Sequence, residues 1–131
     1  MYRLEQEFAR NEIHLSRQSM ANWTIRCAER YLSLLWDRMH KEMCSCPVIQ
    51  ADETPVLVNK DGRKAGSKSY MWVYRTGKLY DSPPIVLYEH QKTRNASHPR
   101  EFLKGYQGIC VTDGYQVYHT LENTLCFLHL K

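Results

Sequence analysis

The chain has 131 residues, 43% of them hydrophobic and 24% charged, with a formal net charge of +4. That composition fits one modest globular domain with a single core and excludes an intrinsically disordered chain. No apolar run approaches the roughly 18–20 residues of a membrane span, and the opening MYRLEQEFARNE lacks the apolar centre of a signal peptide, so a cytoplasmic protein is expected.

The predicted elements begin with a helical front. A short helix is expected over residues 3–10. Met20, Trp23, Cys27, Tyr31, Leu34 and Leu35 then recur at three- and four-residue steps, which places them on one face of a second helix. Ser16 precedes this run as an N-cap, because its hydroxyl can take an orphan backbone N–H. The helix is expected to reach about Met43, and Pro47 forbids much more. HLSRQSMANWTI resembles the second helix of a helix-turn-helix, a small polar start followed by apolar anchors. The competing reading is a long amphipathic helix packed on its own domain.

The body alternates strands with short helices. Val48–Val58 reads as a first strand. NKDGRKAGSK is a turn-rich connection. Ser69–Arg75, rich in aromatic and β-branched residues, is a second strand. Pro83-Pro84 breaks the chain before a third strand at Ile85–Glu89. Pro99 suits the first turn of a helix carrying Phe102 and Leu103, which Gly105–Gly108 ends. Ile109–Thr112 is a short apolar strand that stops at Asp113-Gly114. Tyr115–Leu121 is a candidate helix, and Leu125–Leu130 a final strand.

The order β-β-β-α-β-α-β implies an antiparallel meander followed by parallel crossovers. The expected fold class is α/β, a ribonuclease-H-like mixed β-sheet with helices. Residues 1–46 form an N-terminal helical segment and residues 47–131 the sheet domain.

Two acids stand out in that order. Asp52 lies in the first strand, where short charged side chains are disfavoured, and Asp113 lies at the end of the fourth. In the expected sheet these strands are neighbours, so the two carboxylates can meet. Carboxylates a few ångströms apart repel unless a cation sits between them. Mg²⁺ suits such a site, since it takes carboxylate oxygens and keeps water and phosphate oxygens in its other positions. The competing readings are a salt bridge for Asp52 and a simple turn for Asp113-Gly114. Glu53 alternates to the opposite face of the strand. It is therefore expected to be a supporting or structural acid, unable to serve the same site as Asp52.

The cysteines give little. Five irregularly spaced Cys residues do not suggest a disulfide framework. Cys44-Ser45-Cys46 and the C-x-x-H of Cys126 and His129 each lack a second ligand pair at zinc spacing. Basic residues cluster in two loops: Lys60, Arg63, Lys64 and Lys68 in one, and Lys92, Arg94 and Arg100 around another. They are candidates for phosphate contacts, as solvated loops are for the same pattern.

ADETPV, SYMWVYR, KTRN, EFLKGYQGICVTDGYQVY and the C-x-x-H of CFLHLK, in this order and spacing, resemble the catalytic domain of insertion-sequence-66 family transposases. LSRQSMANW resembles the segment preceding that domain, so the resemblance covers about residues 12–131. It implies a DDE-type transposase of ribonuclease-H-like fold that uses two Mg²⁺ ions to cut transposon-end DNA and join it to a target. Asp52 and Asp113 would be the first two catalytic and metal-binding carboxylates. Lys60, Arg63, Lys64, Lys68 and Arg94 are the candidate DNA contacts. A homo-oligomer on paired DNA ends is implied for the whole enzyme.

The family's third carboxylate is a Glu on a helix well downstream of the C-x-x-H. Lys131 ends the sequence before such a helix, and Glu122 comes too early. The family's upstream zinc-binding cysteine cluster is also not in the sequence, and CFLHLK departs from the more basic segment usual after that His. The expectation is a C-terminally truncated catalytic domain, a fragment with little or no strand-transfer activity alone. The alternative is a non-catalytic DNA-binding or interaction fragment.

Overall fold

A computed structural model of the chain describes residues 1–58, 62–64, 66–77, 83–113, 115–121 and 124–126. By tertiary contacts it divides into two units, Met1–Arg38 and Met39–Lys131.

The first unit is helical. Helix α1 spans Tyr2–Arg10. Helix α2, Arg17–Cys27, starts where expected: the Ser16 side chain accepts the Ser19 N–H at 3.1 Å. A π-helical segment, Ala28–Leu32, leads into helix α3, Ser33–Ser45, with helical backbone angles at both junctions. Within this unit Arg17 ties α2 to α1 through an ion pair with Glu5 at 2.7 Å. The apolar stripe is present along these helices. Met20 is buried, whereas Trp23, Tyr31, Leu34 and Leu35 are each more than half exposed. Periodicity locates a face and not its cover.

The division between units falls within α3, whose last residues belong to the second unit. Met43 there is fully buried, and α3 ends at Ser45, just ahead of Pro47.

The second unit is built on a five-stranded sheet of order β3-β2-β1-β4-β5. Its strands are β1 (Val48–Leu57), β2 (Lys68–Thr76), β3 (Val86–Gln91), β4 (Ile109–Thr112) and β5 (Thr124–Cys126). β1, β2 and β3 form an antiparallel meander, while β4 pairs in parallel with β1 and β5 in parallel with β4. This is the α/β mixed sheet expected from the element order. Residues 127–130, the rest of the expected last strand, lie outside the described residues.

One face of the sheet carries the core. Ile49 and Ala51 of β1, Trp72 and Tyr74 of β2, Leu87 of β3 and Cys110 of β4 are buried there, each two residues from the next buried position on its strand where there is one. Helix α4 (Ser97–Phe102), with Pro99 in its first turn, supplies Phe102 to this core. Phe102 stacks on Tyr74 with ring centroids 3.5 Å apart. The opposite face is more open, with Val86, Tyr88 and Ile109 exposed. Burial pushes the Cys110 thiol up to about 12.

Leaving α4, Gly105 takes a left-handed backbone (φ +79°) that residues other than glycine rarely adopt. Further on, the chain passes close to the start of β1: the Ile109 N–H donates to Pro47 O at 2.7 Å, and the Tyr106 hydroxyl donates to Cys46 O at 3.0 Å. A Cβ on Gly108 would lie 2.6 Å from Pro47 O and would also strike the Tyr106 phenol. Gly108→Ala is expected to destabilise the chain by roughly 1–3 kcal/mol or more, the usual cost of overpacking. A lowered urea midpoint with an unchanged slope would register this loss.

Tyr115–Leu121 does not form the expected α-helix. Only a 3₁₀ turn at Tyr118–Thr120 is present. A segment this short depends on tertiary contacts for its conformation, and the Tyr118 hydroxyl is held by Glu53. No helix among the described residues is long and apolar enough to cross a membrane.

Candidate functional site

The parallel pairing of β1 with β4 positions the site. Val48 faces Ile109, Ile49 faces Cys110 and Gln50 faces Val111. Continuing that register two residues sets Asp113 alongside Asp52. In-register residues on neighbouring parallel strands point to the same face, here the open one, and both aspartates are exposed. The neighbouring Glu53 is buried, as strand alternation requires.

Even so, Asp52, Glu53 and Asp113 each offer a carboxylate oxygen within 4.8 Å of the others'. The expectation that Glu53 is kept apart from Asp52 needs correction. Alternation holds, but β4 stops at Thr112, so beyond Ala51 no strand among the described residues flanks β1 on that side to separate its two faces. Among the described residues this trio is the one group of three or more acidic, His or Cys side chains so arranged.

Each acid has internal partners. Asp52 Oδ1 accepts the Glu53 backbone N–H at 2.8 Å. Asp113 Oδ1 accepts the Tyr115 N–H at 3.3 Å, an Asx-type turn. Glu53 is held most firmly. Its Oε1 accepts Arg94 Nε at 2.7 Å and also Arg94 Nη2, while its Oε2 accepts the Tyr118 hydroxyl at 2.6 Å. The Arg94 guanidinium lies over the Tyr115 ring, 3.4 Å from its centroid. The Tyr115 hydroxyl donates back to Arg94 O at 3.3 Å.

These contacts govern proton affinity. Burial pushes the Tyr118 phenol well above its usual range, and its hydrogen bond to Glu53 pushes it further. Burial lowers the Arg94 pKa, but the hydrogen bonds and charge of Glu53 outweigh it and leave a net rise. Tyr118 is therefore a neutral donor and Arg94 a fixed cation. Together they satisfy an acid that would otherwise be costly to bury.

Three carboxylates and one guanidinium in so small a space carry net negative charge. An all-oxygen donor set of this kind suits a hard divalent cation rather than a thiophilic one.

The other candidate residues are scattered. Lys64 and Lys68 are exposed, and Lys60 lies outside the described residues. Arg63 is engaged within the protein: it donates to Lys68 O at 3.1 Å, Lys92 O at 2.7 Å and the Ser69 hydroxyl. Arg94 is the partner of Glu53. Cys44 Sγ lies 3.5 Å from His40 Nε2, which also contacts Phe102 O at 2.8 Å. This is a local packing arrangement outside the acidic group. His129 and the side chain of Cys126 lie outside the described residues.

The roles of Tyr115 and Tyr118 were not foreseen from the sequence. Their only signal is two tyrosines three residues apart directly after Asp113-Gly114.

The family model described as "Transposase IS66 family" matches residues 1–131, the whole chain. The chain belongs to the IS66 transposase family. Two curated relatives from Sinorhizobium fredii (strain NBRC 101917 / NGR234) are similar to it. "Uncharacterized protein y4qI" is 31% identical over an alignment that covers 100% of this chain and 27% of that protein. "Uncharacterized protein y4jD" is also 31% identical, covering 92% of this chain and 24% of that protein. The chain thus spans about a quarter of the length of these relatives. No solved structure matches it.

Proposed function

We propose that this IS66-family chain is the central part of a DDE transposase catalytic domain with ribonuclease-H-like topology, in which Asp52 and Asp113 are the first two catalytic, metal-binding carboxylates. The observation that carries the reading is the convergence of Asp52 and Asp113 from neighbouring parallel strands, with oxygens within 4.8 Å. The sheet order, a three-stranded antiparallel meander followed by two parallel strands, supports the topology.

Asp52 and Asp113 would hold Mg²⁺. When bound, two such ions activate the attacking oxygen and steady the leaving oxygen of an in-line phosphoryl displacement. The chain's own residues supply the charge that holds the ions and keep Glu53 neutralised by Arg94. DNA is the proposed partner, as transposon ends and target, and the whole enzyme would act as a homo-oligomer. Lys60, Arg63, Lys64, Lys68 and Arg94 are the proposed DNA contacts. The exposed Lys64 and Lys68 suit phosphates best, which gives salt-dependent, sequence-indifferent affinity.

A DDE site needs a third carboxylate, so the 131 residues alone should bind metal yet show little or no strand transfer. Purified chain is expected to leave transposon-end DNA uncut in Mg²⁺. Robust Mg²⁺-dependent cleavage that disappears in Asp52→Ala would overturn the inactivity. DNA affinity that survives Asp52→Ala and Asp113→Ala and needs no Mg²⁺, in a chain that binds no divalent ion, would replace the catalytic reading with a non-catalytic DNA-binding one.

A further inference from the structure

Glu53 follows Asp52 directly in sequence and brings a carboxylate oxygen within 4.8 Å of both proposed ligands. Its side chain is 0% exposed, and it faces Trp72 across the β1–β2 ladder. A buried carboxylate there has to be matched by donors or lost to protonation. Both of its oxygens are matched, Oε1 by the Arg94 fork and Oε2 by the Tyr118 hydroxyl.

Those two partners come from distant parts of the chain. Arg94 follows β3, and Tyr118 follows β4. The network extends to each aspartate. The Glu53 N–H donates to Asp52 Oδ1. On the other side, Arg94 lies on the Tyr115 ring and its carbonyl accepts the Tyr115 hydroxyl, while the Tyr115 N–H donates to Asp113 Oδ1. One chain of contacts thus runs from Asp52 through Glu53, Arg94 and Tyr115 to Asp113. Tyr118 braces it beneath the sheet, edge-on to Trp72 with centroids 6.0 Å apart.

We propose that Glu53, clamped by Arg94 and Tyr118, is a positioning residue that fixes the spacing of Asp52 and Asp113 and does not itself ligate the metal. The inference rests on the proposed metal-binding role of the two aspartates. β4 ends one residue before Asp113, so the sheet's hydrogen bonds alone do not hold that aspartate against β1. The clamp supplies a cross-tie between the two. It also sets Arg94 apart from the exposed lysines: its guanidinium serves the acid site first, and a phosphate would have to compete with Glu53 for it. Two donors of one guanidinium converging on Glu53 Oε1 while the group lies over the Tyr115 ring is a geometry that lysine cannot reproduce.

The test is Mn²⁺ titration of the full 131-residue chain by calorimetry, with thermal unfolding of each protein followed in parallel. Glu53→Gln and Arg94→Lys are expected to weaken Mn²⁺ binding roughly 10-fold, the scale on which supporting partners of metal ligands act. Tyr118→Phe keeps the ring and its burial and removes only the donor. It is expected to weaken binding severalfold, and it keeps the proposal testable if Glu53→Gln does not fold. Stoichiometry should stay at the wild-type value in all three.

Wild-type Mn²⁺ affinity in the folded variants, whatever their melting temperatures, would reduce the clamp to a stability device and overturn the proposal. So would abolition of binding by Glu53→Gln alongside wild-type affinity in Tyr118→Phe and Arg94→Lys, which would make Glu53 a ligand. If the wild-type chain binds no Mn²⁺, or Asp52→Asn binds as well as wild type, the metal-site reading falls and takes this inference with it. Failure of the clamp alone leaves the Asp52 result intact.

Discussion

Asp52→Asn is expected to weaken Mn²⁺ binding by the 131-residue chain by at least about 100-fold, the upper end of what loss of a mere supporting partner costs a metal site. The substitution keeps the side chain's shape and its ability to accept the Glu53 N–H, so it removes charge without removing the local turn. Asp113→Asn is expected to act alike, since its carboxylate is the other exposed member of the trio. Without metal the sign reverses. Oxygens of three acids within 4.8 Å repel, and among the described residues the one ion pair in the trio is Glu53 with Arg94. Deleting an exposed aspartate charge should therefore leave the metal-free melting temperature unchanged or raised. Loss of binding with no loss of stability is the pattern of a functional site held at some cost to the fold. A variant that loses both together would mark Asp52 as a structural acid, the salt-bridge alternative raised by its sequence position.

Trp72→Ala should be the most destabilising of the core substitutions, by about 3–5 kcal/mol. The side chain is fully buried at the centre of the covered face, on the strand between β1 and β3, and edge-on to both His98 and Tyr118. Against a total stability of about 5–15 kcal/mol for a domain of this size, such a loss leaves a substantial unfolded population or no folded state. Trp72→Phe should cost much less. The indole Nε1 has no hydrogen-bond partner among the described residues, so its removal relieves a desolvated donor and only the lost ring volume counts. Urea unfolding of the two variants checks the contrast; equal losses would mean that the donor has a partner after all.

Trp72 also couples the core to the site, since it lies opposite Glu53 in the ladder and against Tyr118. Trp72→Phe should therefore lower metal affinity slightly as well as stability. The same covered face that stabilises the sheet holds the base of the clamp.

Some features follow directly from local sequence. Ser16 caps its helix because a hydroxyl there meets an orphan N–H. Pro47 marks the end of α3 because it lacks the N–H to continue it. Asp52 and Asp113 become neighbours because the order of strands and crossovers puts β4 beside β1. All of these depend on short-range chemistry or on the order of elements, both of which are written along the chain. The candidate helix at Tyr115–Leu121 is not formed: Tyr118 hydrogen-bonds to Glu53, a partner far away in the chain, and only a single 3₁₀ turn is present there.

By itself, then, the sequence determined the family, the order of strands and the pair of aspartates. Only the tertiary structure decided which residues hold Glu53. Its partners Arg94 and Tyr118 stand 41 and 65 residues away, with no spacing rule to connect them. Alternation along β1 correctly turns Glu53 away from Asp52, yet it says nothing of where the neighbouring strand stops. Because β4 ends at Thr112, the two faces meet at that edge, and a buried acid comes within reach of two exposed ones.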